Sequence, residues 1–274
     1  MKYGFYTPNF GYCGNPKILT DLAVESEHAG WDGFFIWDHI QFPEMEPAAD
    51  PWVALSAIAV QTRSISLGPM ITPLPRREIA KLAREALTLD HLSDGRLILG
   101  IGLGFQPLPE WSGFGFEQDM KIRGEMVDEG LQVLEALWSG EAVDHVGKHY
   151  KAVCAAWAKP KSQPRIPIWI AGQWPGKKPF MRASRWEGVI PMARDQMEGG
   201  KIEPTDLDDL LTVIRAENEP SPGFDVVLIG MNPDPLELQA YAQAGATWWL
   251  EASGPWSKTV DEMKQQIRGG PPKS

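Results

Sequence analysis

A (β/α)8 TIM barrel is the fold the sequence predicts, on three observations. Eight short apolar runs recur along the chain, a helical pattern follows each, and 274 residues is a length such barrels take. Runs such as RLILGI and IPIWIA read as strands buried on both faces of a parallel sheet. Parallel strands need a crossover connection, which the intervening helices supply. The predicted strands are Tyr3–Tyr6, Gly33–Trp37, Ile65–Thr72, Arg96–Ile101, Ile166–Ala171, Gly188–Pro191, Asp225–Ile229 and Thr247–Glu251. An open doubly wound sheet is the rival arrangement of the same alternation.

The helices announce themselves locally. Asn15-Pro16, Asp50-Pro51 and Asp234-Pro235 each pair a capping side chain with a proline suited to the first helical position. Thr259 and Glu262 fit a capping box for the last helix, and Gly30 stands where the first should stop. Ile18, Leu19, Leu22 and Ala23 form an inward stripe, as do Ile79, Leu82, Ala83 and Ala86. Arg76 and Arg77 are read as opening the third helix, although the helix dipole disfavours cations there. The spacing stretches between strands four and five, where an insertion holds a helix near Met120–Trp138 and a hairpin near Asp144–Val153. A connection of that length reads as a lid over a site. The whole chain, 1–274, reads as a single barrel domain.

Composition narrows the function. The chain is 43% hydrophobic and 23% charged, as a soluble globular protein is. Its net charge of −10 speaks against a nucleic-acid partner. No apolar run reaches the roughly 20 residues that cross a bilayer, and no signal-peptide core opens the chain. Two distant cysteines, Cys13 and Cys154, fit reduced thiols, so a cytoplasmic protein is expected.

Barrel enzymes place their chemistry at the C-terminal ends of the strands. Here those ends carry Pro8-Asn9, Asp38-His39, Met70-Ile71-Thr72, Gly102 and Gly104, Gly172-Gln173, Pro191-Met192, Gly230-Met231 and Glu251. No lysine ends a strand, which disfavours Schiff-base chemistry. No HxH or HExxH offers metal ligands, and no GxSxG elbow offers a nucleophile. An apolar, glycine-lined mouth with one Asp-His pair remains. It suits a flat cofactor that carries the chemistry itself.

The stretches GWDGFFIWDHI (30–40), SLGPMITPLPRREIAKLAREALTLDHLSDGRLILGIGLG (66–104), GFGFEQDMKIRGEMVDEGLQVLEALWSGE (113–141), IPIWIAGQ (166–173) and ATWWLEASGPWSKTVDEMKQQIRGGPP (246–272) resemble the luciferase-like monooxygenase family. The block Leu89–Gly104 is the most specific part of that resemblance. It implies a reduced flavin or deazaflavin lying across the mouth, with Met70, Ile71 and Thr72 beside its ring. Asp38 and His39 match the family's acidic-His pair, and Glu110-Trp111 its acidic-aromatic pair.

Roles are assigned on that basis. His39 is expected as the general acid/base, oriented by a carboxylate turned back from Asp38. Gly102 and Gly104 let a ring approach closely. Gly172, Gln173, Gly176, Lys177 and Lys178 form a turn suited to an anionic tail. Trp111, Trp174 and Arg76 are substrate candidates, and no metal is expected. The leading function is a monooxygenase using reduced FMN and oxygen on a small apolar carbonyl-type substrate, with a separate flavin reductase as a possible partner. FMN stands ahead of the deazaflavin coenzyme F420 because few basic groups line the rim. A coenzyme F420-dependent oxidoreductase and a non-catalytic flavin-binding protein are the alternatives. Family analogy adds a homodimer.

Overall fold

The computed structural model describes residues 1–42, 47–105, 109–196 and 199–272. The first half runs β1 (Lys2–Thr7), α1 (Pro16–His28), β2 (Gly33–Ile36), α2 (Pro51–Gln61), β3 (Ser66–Pro69), β4 (Thr72–Pro73), α3 (Ile79–Leu92), β5 (Leu99–Gly102), α4 (Pro109–Ser112) and α5 (Met120–Trp138). The second runs β6 (Val143–Val146), β7 (Lys151–Cys154), β8 (Ile168–Trp174), α6 (Lys177–Ala183), β9 (Gly188–Ala193), α7 (Pro204–Glu217), β10 (Asp225–Gly230), α8 (Pro235–Gln243), β11 (Trp248–Ala252) and α9 (Val260–Arg268).

Each predicted apolar run forms a strand, and the main sheet has the order β3-β2-β1-β11-β10-β9-β8-β5-β4 with parallel pairing throughout. Its two ends, β3 and β4, are consecutive in the chain, so the sheet nearly closes on itself as a barrel. The run predicted as one strand, Ile65–Thr72, is therefore split. β3 pairs with β2, β4 pairs with β5, and the Met70–Ile71 peptide between them is cis. A bridge between Leu67 and Leu97 helps join that seam.

Side-chain alternation decides the two layers. Phe35, Met70, Trp169, Ile190, Val227, Trp248 and Leu250 fill the barrel interior. The helices bury their apolar stripes on the outside, Leu19, Leu22 and Ala23 from α1 and Leu82, Ala83 and Ala86 from α3. The local caps form as their sequences dictate. Asn15, Asp50 and Asp234 accept from Lys17 N at 3.0 Å, Val53 N at 3.0 Å and Leu236 N at 2.7 Å, and Thr259 closes its box with Glu262.

One expectation needs correction. Arg76 and Arg77 do not open α3: Arg76 ends a 3-10 turn, and Glu78 caps the helix through Ala80 N and Lys81 N. The insertion between β5 and β8 holds the expected helix and hairpin, and the two are tied together. Glu129 of α5 accepts from the backbone of Lys148, His149 and Tyr150 and from His145 Nε2, which pins the β6–β7 hairpin to the helix. Among the described residues, no helix is long and apolar enough to cross a membrane.

Candidate active site

The site grows from the end of β2. Asp38 and His39 follow that strand, and their side chains go to different partners. Asp38 is fully buried and accepts from Thr72 Oγ1 at 2.8 Å, from Arg76 Nη2 at 2.9 Å and from Arg77. His39 places Nδ1 2.8 Å from Glu110 Oε1, on the short helix α4. The expected Asp38-to-imidazole contact is thus replaced. Adjacent residues leave a strand in opposite directions, and the carboxylate that reaches the imidazole lies 71 residues away.

Arg76 joins the two acids. Its Nη1 lies 2.7 Å from Glu110 Oε2 while Nη2 holds Asp38, giving an Asp38–Arg76–Glu110–His39 chain. Ile40 N donates to Glu110 Oε2 at 3.0 Å. Burial opposes ionisation of Glu110, yet the hydrogen bond and charge of His39, the charge of Arg76 and the Ile40 N–H together hold its carboxyl below the usual carboxylate range. An ionised carboxylate only accepts, so His39 Nδ1 donates to Glu110 and Nε2 is left to face the mouth. The backbone of His39 is fixed as well: buried Asn9 donates through Nδ2 to His39 O at 2.6 Å and to Ala49 O at 2.7 Å.

This arrangement accounts for the two arginines before α3. They neutralise buried acids: Arg76 is 1% exposed at its side chain and ion-paired to Asp38 and Glu110, and Arg77 is paired to Asp38. Trp111 also departs from expectation. It is 1% exposed, packs on Gly104 and lies under the Arg123 guanidinium at 3.2 Å from the ring centroid. Gly104 has φ +86°, and a Cβ there would sit 1.9 Å from the Trp111 ring, so its bare backbone serves this tryptophan.

The floor of the mouth is apolar. Above the interior cluster, Trp37, Ile71, Ile229 and Ala252 remain partly exposed. Of the three residues expected beside a ring, Met70 is buried in the barrel, Thr72 is committed to Asp38, and Ile71 alone presents a side chain to the opening. Gly102 lies beside it, its missing Cβ 3.0 Å from Ile71 Cγ2.

Across the mouth, Gly172 and Gln173 belong to β8 and Gly176 caps α6. Gly172 is required by packing, because a Cβ would lie 2.1 Å from Pro179 Cβ. Lys177 and Lys178 are exposed in the first turn of α6 and form no ion pair among the described residues. Trp174 is half-buried on Phe180 and donates through Nε1 to Asp206 Oδ1 at 3.1 Å. Sequence reasoning placed Asn9 and Arg77 by the mouth and Glu110 after a strand, without assigning the contacts they make. Their only signal is polar character at a strand end, in a doublet and after a strand.

A family model for luciferase-like monooxygenases matches residues 1–195. The chain belongs to that family. A relative from Nakamurella multipartita, an F420-dependent glucose-6-phosphate dehydrogenase, is 26% identical over 94% of this chain and 86% of its own. One of the same name from Amycolatopsis mediterranei is 31% identical over 58% of this chain and 49% of its own. An F420-dependent secondary alcohol dehydrogenase solved with an F420-acetone adduct shares the fold, with TM-score 0.77, 16% identity and coverage of 98% and 97%. The FMN-bound oxygenating component of a Pseudomonas putida type II Baeyer-Villiger monooxygenase aligns with TM-score 0.68 and 22% identity, over 84% and 67%. The family thus spans flavin- and deazaflavin-dependent oxidoreductases.

Proposed function

We propose that this protein is a coenzyme F420-dependent oxidoreductase that interconverts a carbinol and a carbonyl. This reverses the preference for FMN drawn from the sequence, since relatives that cover most of this chain, such as the Nakamurella protein, are named for F420. The observation that carries the reading is the His39–Glu110 pair, a proton-transfer group fixed at the lip of an apolar mouth. Oxidising an alcohol to a ketone needs a base for the hydroxyl proton as well as an acceptor for the hydride.

The residues fit a planar ring. Trp37, Ile71, Ile229 and Ala252 supply an apolar bed, and exposed Lys177 and Lys178 suit an anionic tail at the far rim. When bound, the deazaflavin supplies the two-electron hydride acceptor. His39 Nε2 takes the substrate hydroxyl proton as the carbinol carbon becomes a carbonyl, and returns it in the reverse direction. Glu110 stabilises the resulting imidazolium and keeps the ring in one orientation. Arg76 and Asp38 hold Glu110 in place.

Equilibrium titration with F420 and with FMN, each followed by its own fluorescence, tests the cofactor. Saturable binding of F420 with weaker or flat binding of FMN supports the reading. The opposite order restores an FMN enzyme. Binding of either cofactor with turnover unaffected by His39→Ala favours a flavin-binding protein without this catalytic base.

A further inference from the structure

Two of the relatives named above are glucose-6-phosphate dehydrogenases by name, and the surroundings of His39 are unlike a phosphate site. The imidazole sits among aromatic rings: Phe42 at 5.4 Å, Trp37 at 5.7 Å and Phe10 at 6.3 Å between centroids. Phe42 stacks on Phe10 at 4.5 Å, and Trp256, from the loop after β11, lies 5.4 Å from Trp37. Trp37 is partly open and Trp256 is 40% exposed, so this wall faces the mouth with its outer ring free.

Among the described residues, cations are sparse beside it. From Tyr3 to Thr62 the sequence has one lysine, Lys17, and no arginine, and from Leu103 to Gln118 it has neither. Lys17 lies exposed on α1, and Lys258, after Trp256, donates to Gln266 Oε1 at 2.6 Å. Arg76 and Arg77 are spent on Asp38 and Glu110. Two carboxylates and two guanidinium groups cancel, so the buried cluster beneath His39 attracts neither anions nor cations. The free lysines of the mouth, Lys177 and Lys178, stand across the barrel after β8.

We propose that the substrate is uncharged and largely apolar, a secondary alcohol or its ketone with an aliphatic or aromatic body. The recess formed by Trp37, Phe42 and Trp256 takes the body and presents the hydroxyl to His39. The assignment of the reaction rests on the F420 reading above; the preference of the recess for a neutral apolar body does not. Apolar burial against aromatic faces provides the affinity. A phosphate there would lose its hydration against aromatic faces that do not replace it.

The test uses the protein loaded with F420 and three probes: 1-phenylethanol, glucose 6-phosphate and choline. Calorimetry gives each affinity, and anaerobic loss of deazaflavin absorbance reports turnover. The expected result is that 1-phenylethanol binds at least about tenfold more tightly than either charged probe. Trp256→Ala, at an exposed position that does not threaten folding, weakens it about tenfold while F420 affinity stays unchanged. Phe42→Leu is the second variant and acts in the same direction. Equal or tighter binding of glucose 6-phosphate or choline, or an unchanged 1-phenylethanol affinity in both variants, overturns the proposal. If 1-phenylethanol binds through Trp256 and no absorbance is lost, the recess is upheld and the F420 reaction is the part that falls. If glucose 6-phosphate alone bleaches the cofactor, the F420 reaction stands and the apolar substrate is wrong.

Discussion

Replacing Asp38 by alanine probes the deepest part of the site. The carboxylate is fully buried and holds Thr72 Oγ1, Arg76 and Arg77, whose side chains are 1% and 15% exposed for the two arginines. Arg76 keeps Glu110 after the substitution, but Arg77 loses the carboxylate that compensates it. Removing one partner of a buried pair costs about 3–5 kcal/mol, because the charge left behind stays desolvated. Asp38→Ala is therefore expected to lower unfolding free energy by about 3–5 kcal/mol. Asp38→Asn keeps the shape and one acceptor and should lose less, about 1–3 kcal/mol. Urea unfolding followed by tryptophan fluorescence reads both, with comparable slopes required before the midpoints are compared. A loss below about 1 kcal/mol for the alanine variant is the value of an exposed pair and would refute the buried network.

Three further outcomes follow from the same structure. Glu110→Gln should leave F420 affinity unchanged and reduce kcat by about 10- to 100-fold, a smaller loss than His39→Ala, because it weakens the orientation of the base without removing it; a KM effect alone would place Glu110 outside the proton transfer. Glu27 has its carboxyl lowered from 4.5 to about 2: burial opposes the shift, but the N–H groups of Ser64, Ile65 and Arg63 and the Ser64 hydroxyl prevail. Its folded pKa lies below the unfolded value, so its contribution is present above about 4.5 and is lost as pH falls towards 2. The stability gap between the native protein and Glu27→Gln should shrink over that window in urea titrations, and a gap constant with pH would contradict the assignment. Lys177→Ala with Lys178→Ala should weaken F420 more than the same deazaflavin lacking its phosphate-bearing tail; equal weakening in fluorescence titrations would leave those lysines as surface.

What could be read from the sequence divides along distance in the chain. Asn15, Asp50, Asp234 and Thr259 cap helices through contacts two or three residues away, so their motifs were sufficient. Apolar runs likewise marked the strands of the main sheet, because both faces of that sheet are covered. The break at Met70–Ile71 was hidden, since one continuous run serves two different partners. The contact between His39 and Glu110 joins the end of β2 to α4, 71 residues on, which no local pattern records. Arg76 and Arg77 did leave a trace. Two cations before a helix start conflict with the dipole, and the conflict is resolved by a buried acid that sequence reasoning assigned elsewhere.

The block most specific to the family turned out to serve the fold. Within Leu89–Gly104, Asp90 accepts from Lys161 N, Ser162 N and Ser162 Oγ, tying α3 to the segment before β8. Arg96 donates to the carbonyls of Ala59, Thr62, Ile65 and Ser93 and to Thr62 Oγ1, closing the loops around the seam between β3 and β5. Recognition of the family therefore rested on residues that hold the barrel together. The proposed chemistry rests on Glu110 and His39, which the motif does not contain.

The most direct test of the central claim is an anaerobic single-turnover experiment with F420-loaded protein and an uncharged secondary alcohol, following deazaflavin absorbance. The account predicts stoichiometric loss of the oxidised chromophore with formation of the ketone, slowed at least about 100-fold in His39→Ala with cofactor binding preserved. Substrate consumption that requires oxygen and reduced FMN, with F420 left unchanged, would contradict it.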